Sequence, residues 1–238
     1  MTPPPAPGPQ RRPLTPAVAV LRVLADLFIT VAVVAVLFLV YSLWFTNVTA
    51  RQAAGDLTSQ IRASWNQNSS RPTGFFAEQG GIGFLHIPAL GSRREIPVIR
   101  GTDLDLLNRG VAGYYTGPVP AAMPWHASGN FSLAAHRDGH GARFHNLHKV
   151  TEGDSIVFES RDSWYIYRVF STLQREDPSN VSVLQPVPGS SGRTAPGRYI
   201  TLTTCTPVFT SDYRLIVFGE LVRTEPVSPS RTPPAELR

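Results

Sequence analysis

The chain has one cysteine, Cys205, in 238 residues. A single thiol excludes an internal disulfide framework and a cysteine-rich zinc module. No H-E-x-x-H pattern occurs. His136 and His140 are four residues apart, but Gly139 and Gly141 oppose the helix that would align them, so no metal site is expected. Charge is scarce too, at 16% of residues. The net charge of +5 comes from dispersed basic residues, which argues against a nucleic-acid partner and for an anionic envelope surface. There is no internal repeat, which excludes a repeat array.

What is present is turn-forming and aromatic. Twenty-two prolines and 19 glycines imply many turns, and 12 Phe, 7 Tyr and 4 Trp can supply a core. Residues 1–16 hold seven prolines and read as a disordered tail. Residues 17–46 form an apolar segment. Within it Leu27 to Phe45 is 19 residues without a charge, roughly 28 Å of helix against a hydrocarbon core of about 30 Å. Tyr41, Trp44 and Phe45 make an aromatic edge, and Arg11, Arg12 and Arg22 precede the span, with only Arg51 near its far side. That asymmetry predicts a cytoplasmic N-terminus and an exported remainder. The stretch is too long for a typical signal-peptide core and no clean A-x-A site follows, which favours an uncleaved anchor.

Residues 47–74 carry Leu57, Ile61 and Trp65 at helical spacing, the pattern of a stalk helix that Arg71-Pro72-Thr73-Gly74 breaks. Residues 75–223 form the domain and 224–238 a flexible tail. Within the domain, strands are predicted at Gly83 to Ile87, Ile96 to Arg100, Asn130 to Ala135, Ser155 to Glu159, Trp164 to Leu173, Tyr199 to Thr204 and Arg214 to Leu221. Short helices are predicted at Leu104 to Arg109 and Ala142 to Leu147. The fold class is mainly β, a barrel or sandwich. Pro178 to Arg198 is a long Pro/Gly/Ser-rich connection of the kind that carries substrate contacts.

Cys205 ends the β-branched run Thr201-Leu202-Thr203-Thr204 and precedes Thr206-Pro207. Beyond a membrane a lone thiol is exposed to oxidation without a structural partner, which points to use as a nucleophile; the alternative is a small buried hydrophobe. Only about 3% of a free thiol is ionised at pH 7, so a histidine must manage its proton. An arginine can stabilise an oxyanion without losing its charge. Arg214 follows Cys205 by nine residues across Phe209-Thr210-Ser211-Asp212, and in a hairpin that spacing returns it beside the thiol. His136 lies at the end of a predicted strand. His86, His126, His145 and His148 read as surface or loop residues.

Thr201-Leu202-Thr203-Thr204-Cys205 resembles the T-L-x-T-C signature of sortases, the cysteine transpeptidases of Gram-positive surfaces. Ile87-Pro88, Gly129-Asn130, Ala135-His136-Arg137, Gly141 to Leu147, Gly153-Asp154 and Arg214 are similar to further family segments, in family order, over roughly Gly83 to Val222. Ala135 departs from the glycine most sortases carry. Gly113-Tyr114-Tyr115 and Met123-Pro124-Trp125 through Gly129-Asn130-Phe131 are similar to the actinobacterial class E group. The resemblance implies a closed β-barrel of about eight strands with short helices behind one transmembrane helix. It implies catalytic Cys205, His136 and Arg214, and no cofactor or metal. Tyr115, with Tyr114 as rival, is the implied tyrosine that favours Ala over Pro in the sorting signal; Thr204 and Asn130 are further substrate-binding candidates. The implied partners are secreted proteins bearing a C-terminal sorting signal, a peptidoglycan-precursor amine and the cell membrane. A cysteine peptidase that releases product to water, and an anchored non-enzymatic binding domain, are the alternative readings. Asn47, Asn68 and Asn180 head Asn-x-Ser/Thr triplets that would suit a eukaryotic type II membrane protein.

Overall fold

Short alternating strands separated by turn residues bury one face each, and in this chain they do so by closing on themselves. The computed structural model describes residues 16–66, 81–91 and 95–238. The expected disordered N-terminal tail, the Arg71-Pro72-Thr73-Gly74 break and the domain start at residue 75 lie outside the described residues, Pro16 apart.

Helix α1 (Pro16–Asn66) is followed by β1 (Gly83–His86), β2 (Ile96–Arg100), α2 (Leu104–Leu107), β3 (Ala112–Tyr114), β4 (Gly129–Ala134), β5 (Ser155–Glu159), β6 (Ser163–Glu176), β7 (Arg198–Thr206) and β8 (Tyr213–Pro226). The strands form a closed barrel in the order β1-β2-β3-β4-β7-β8-β6-β5. Two neighbouring pairs, β2–β3 and β4–β7, are parallel and the rest antiparallel. Closure leaves no open sheet edge. Leu85, Val98, Phe131, Leu133, Phe158, Leu202 and Val217 fill the interior. Phe131 and Phe158 meet edge to face with centroids 5.0 Å apart, and truncating either to Ala should cost about 3–5 kcal/mol.

The chain divides into two compact units, one up to Trp44 and the other from Phe45 to Arg238. In the first, α1 exposes Val20, Leu21, Leu27, Phe28, Val34 and Phe38 along its length. It is long and apolar enough to cross a membrane. In the second, the same helix runs on through the residues expected for a stalk. Ala50, Ala54, Leu57 and Ile61 are buried, a spacing that keeps them on one helical face. Leu57 and Ile61 pack on Phe84, Ile99 and Val111. The approach is close enough that Gly110, at φ 71°, has no room for a side chain: a Cβ there would lie 2.9 Å from the Ala50 carbonyl oxygen.

The structure differs from the sequence reading in four places. β3 was not anticipated; three residues among Gly110, Gly113 and Gly117-Pro118 carry too little apolar alternation to announce a strand. Residues 143–146 form turns rather than the helix expected over 142–147, and a 3₁₀ turn follows at Leu147–Lys149. The cause is local: His140, Gly141 and Ala142 have φ values of 45°, 81° and 41°, the left-handed region that stops an α-helix. β8 continues to Pro226, and the C-terminal residues expected to be a flexible tail carry a 3₁₀ turn, Ala235–Leu237, with Val227 and Leu237 packed on Val157, Trp164 and Ile166. Finally, His86 is buried in β1 rather than exposed. Its Nε2 donates to Glu159 at 3.1 Å, and Glu159 also accepts from Arg62 Nη2 at 2.8 Å and Arg231 Nη2 at 2.6 Å. One carboxylate thus joins α1, β1, β5 and the C-terminal segment. Burial would raise its pKa, but hydrogen bonds from His86, Arg62 and Arg231 and the Arg62 charge outweigh it and bring it down to about 2.

Candidate active site

β7 is the strand on which the candidate site converges, because both its neighbours lead to candidate side chains. On one side the antiparallel β7–β8 pairing sets Cys205 directly opposite Arg214. The nine-residue spacing therefore produces the expected hairpin. On the other side β4 runs parallel, with Ala134 opposite Thr203. The ladder continues past the strand end, since the Ala135 amide donates to the Thr203 carbonyl at 3.3 Å and Thr204 Oγ1 to the Ala135 carbonyl at 2.8 Å. That register carries His136 to the level of Cys205. Cys205 on β7, Arg214 on β8 and His136 just beyond the end of β4 thus belong to three adjacent strands and their extensions.

Cys205 is partly exposed. Arg214 Nη1 donates to the carbonyls of Ser211 and Tyr213, both at 3.0 Å, which orients the guanidinium. His136 Nε2 contacts Asn108 Oδ1 at 2.8 Å. Asn108 caps the C-terminal end of α2. With an amide oxygen as acceptor, Nε2 carries the hydrogen and Nδ1 is the nitrogen free to exchange a proton. Burial lowers the His136 pKa below its ordinary value, and His140, whose ring centroid lies 5.4 Å away, lowers it further; Asp138 opposes both. The neutral imidazole is therefore favoured, the form that can accept a thiol proton.

Beside Arg214 a cavity of about 170 Å³ opens between Tyr115, Thr203, Ile216 and the β6–β7 connection, which contributes Val181, Val183 and Leu184. This is the long Pro/Gly/Ser-rich segment. Tyr115 pairs its hydroxyl with Thr203 Oγ1 at 2.9 Å. Burial pushes the phenol pKa up, opposed by the Thr203 hydrogen bond and by Arg214, so the hydroxyl stays protonated. Tyr114 packs against the barrel core instead, as strand alternation requires of its neighbour. Two other expected substrate contacts sit inside. Asn130 is buried; its Nδ2 donates to the carbonyls of Val183 and Gln185, each at 3.1 Å, and its Oδ1 accepts from Thr201 Oγ1 at 2.9 Å. It pins the cavity wall rather than facing the space within. Thr204 is likewise buried, its hydroxyl engaged by Ala135.

Sequence reasoning missed Asn108, whose only signal was its place after a short helix. It also missed Asn47, whose Oδ1 accepts the Gly141 amide at 2.9 Å and ties the loop after His136 to α1.

A closed barrel with a thiol paired opposite a guanidinium, and an imidazole just past the end of the neighbouring strand, has the parts for acyl transfer through sulfur, the chemistry of cysteine peptidases and transpeptidases. Comparison with known proteins narrows that class. The sortase-domain family model matches residues 85–222. The chain is 52% identical over 235 residues to sortase SrtE2 of Streptomyces coelicolor, covering 96% of this chain and 92% of that relative. It is 44% identical to sortase SrtE1 of the same organism over 92% of this chain, and spans 62% of that longer relative. Among solved structures, sortase E1 from Streptomyces coelicolor with a tripeptide in its active site matches with a TM-score of 0.62 and 46% identity, over 66% of this chain and 96% of that one. Sortase E from Streptomyces avermitilis matches with a TM-score of 0.59 and 35% identity, over 66% and 97%. The chain belongs to the sortase family of cysteine transpeptidases, and its relatives place it with the class E enzymes.

Proposed function

We propose that this protein is a membrane-anchored sortase that cleaves a C-terminal Leu-Ala-x-Thr-Gly or Leu-Pro-x-Thr-Gly signal between Thr and Gly. It then joins the shortened protein to a cell-wall amine. The observation that supports the reading is the pairing of Cys205 opposite Arg214, together with a β4–β7 register that ends with Ala134 opposite Thr203, two residues before His136 and Cys205. The Cys205 sulfur, its proton taken by His136 Nδ1, attacks the threonine carbonyl carbon. Arg214 holds the resulting oxyanion. The C–N bond to glycine then breaks, His136 returns the proton to the departing amine, and a thioester remains. An acceptor amine attacks that thioester carbonyl, passes a proton to His136, and sulfur leaves to regenerate the enzyme.

The cavity beside Tyr115 suits the apolar leucine of the signal, and Tyr115 takes the part of the tyrosine that favours Ala over Pro. The Streptomyces coelicolor sortase E1 structure holds a tripeptide in its active site, which supports a peptide in the corresponding groove here. The apolar part of α1 anchors the enzyme with its N-terminus in the cytoplasm and the barrel outside. Both substrates are then met at one surface, which raises their effective concentration.

The test is to incubate the full chain in detergent with either peptide and an amine, and to trap the acyl-enzyme by mass spectrometry. The expected adduct is on Cys205 and disappears in Cys205→Ala. Turnover persisting in Cys205→Ala would remove the nucleophile assignment, and product released only to water, whatever amine is supplied, would make the enzyme a peptidase.

A further inference from the structure

The two residues that follow His136 make a set of bonds that no catalytic step uses. Arg137 is buried, 7% exposed. Its Nη1 donates to the backbone carbonyl of Cys205 at 3.3 Å, and its Nη2 to His148 Nδ1 at 3.4 Å. Its own carbonyl accepts from His145 Nδ1 at 2.9 Å. Among the described residues its Nε is buried without a hydrogen-bond partner. A buried cation facing neutral acceptors, with one donor unmet, is a poor choice for stability alone. The planar fork of a guanidinium, however, spans two acceptors at fixed separation, which a lysine cannot do.

Asp138 reaches the other half of the site. Its Oδ2 accepts the Phe209 amide at 2.6 Å, in the turn between Cys205 and Arg214. Phe209 is held at φ 66° and is 78% exposed. A bulky residue in the left-handed region persists only where its surroundings hold it. The Asp138 bond is such a hold, placed on the segment that sets where β8 begins and hence where Arg214 lies.

We propose that Arg137 and Asp138 are positioning residues: they clip the cysteine strand and the arginine turn to the segment that carries His136, so that the three groups move as one unit. The inference rests on the assignment of Cys205, His136 and Arg214 made above. It explains why one short segment supplies both the proton carrier and the two fasteners. A sub-ångström drift of the sulfur relative to the imidazole is enough to slow acyl transfer.

The test uses the full chain in detergent and two readouts. The first is turnover of the sorting-signal peptide at the plateau of the pH profile. Arg137→Met, which keeps bulk and removes the donors, should lower kcat roughly 10- to 100-fold with KM little changed. Asp138→Ala should do the same, and Asp138→Asn, which keeps an acceptor oxygen, should restore it. The second readout is the pH dependence of Cys205 alkylation by iodoacetamide. Arg137→Met should alter that profile when His136 is present and leave it unchanged in a His136→Ala background, whereas a general loosening of the fold would act in both. If Arg137→Met does not fold, the Asp138 pair decides. Wild-type kcat in Asp138→Ala together with an unaltered alkylation profile overturns the inference. Turnover surviving in Cys205→Ala strikes instead at the assignment beneath it.

Discussion

The His136 ring and the Asn108 side chain meet at 2.8 Å, Nε2 to Oδ1. Asn108 comes from the end of α2 and His136 from beyond β4, so two separate elements set the orientation of one imidazole. An oxygen acceptor at Nε2 directs the exchangeable position to Nδ1. Asn108→Ala should leave the ring free to rotate and to adopt the other tautomer, lowering kcat about 10- to 100-fold with little change in melting temperature. Asn108→Asp, which preserves an acceptor, should recover part of the loss. Steady-state kinetics of both variants check this, and an Asn108→Ala enzyme as fast as wild type would show that the contact is idle.

The pH profile offers a second measurement. Burial and His140 lower the His136 pKa and Asp138 raises it, with a net fall. In the proposed mechanism the neutral ring receives the thiol proton. The acid limb of kcat/KM should therefore lie below about 6.5, the ordinary histidine value. His140→Asn removes the neighbouring imidazole while tolerating the φ of 45° found there, and should move the limb upward. Asp138→Asn removes the opposing carboxylate and should move it downward. A limb that stays in place in both variants would assign it to another group.

The hairpin relation between Cys205 and Arg214 was legible because it is local. Nine residues with a turn between them leave few arrangements but a hairpin, and Cys205 does pair with Arg214. His136 could be placed at a strand end but not beside Cys205, because β4 and β7 pair in parallel across some 70 residues and no local pattern encodes that pairing. The same reason hid the partner of His86. A histidine in a strand looks exposed until the carboxylate 73 residues away is known. The partners of Asn130 were hidden for a related cause, since its amide serves two carbonyls more than 50 residues downstream. Tyr115 could not be separated from Tyr114 by sequence, because β3 is too short to show its alternation.

The Glu159 cluster carries a stability prediction independent of catalysis. β5 is separated from β7 by β6 and β8 in the barrel order. The Glu159 pKa falls from 4.5 to about 2 on folding. A carboxylate with a depressed folded value contributes stability that is fully present above the unfolded value and is lost as pH falls through the folded one. The melting temperature should accordingly drop between about pH 4.5 and pH 2. Glu159→Ala removes the carboxylate that Arg62 and Arg231 share, while Arg62 keeps Glu95 at 2.8 Å, and should cost about 1–3 kcal/mol at neutral pH. It should also flatten that part of the acid transition, while the kcat of the folded fraction is unchanged. Thermal melts across pH, paired with active-site titration, separate the two effects.

Arg214 tests the oxyanion role most directly. Two backbone carbonyls hold Nη1, and among the described residues Nε and Nη2 are left to meet charge that develops on the substrate carbonyl. Arg214→Ala should lower kcat by about two to three decades. Arg214→Lys should recover little, because its single nitrogen cannot sit at the two backbone carbonyls and also at the separate position from which Nε and Nη2 would reach the substrate carbonyl. KM should change less than kcat if the contact strengthens in the transition state, since an interaction made equally in the bound ground state would appear in KM instead. A loss confined to KM would make Arg214 a peptide clamp and leave the oxyanion to backbone amides.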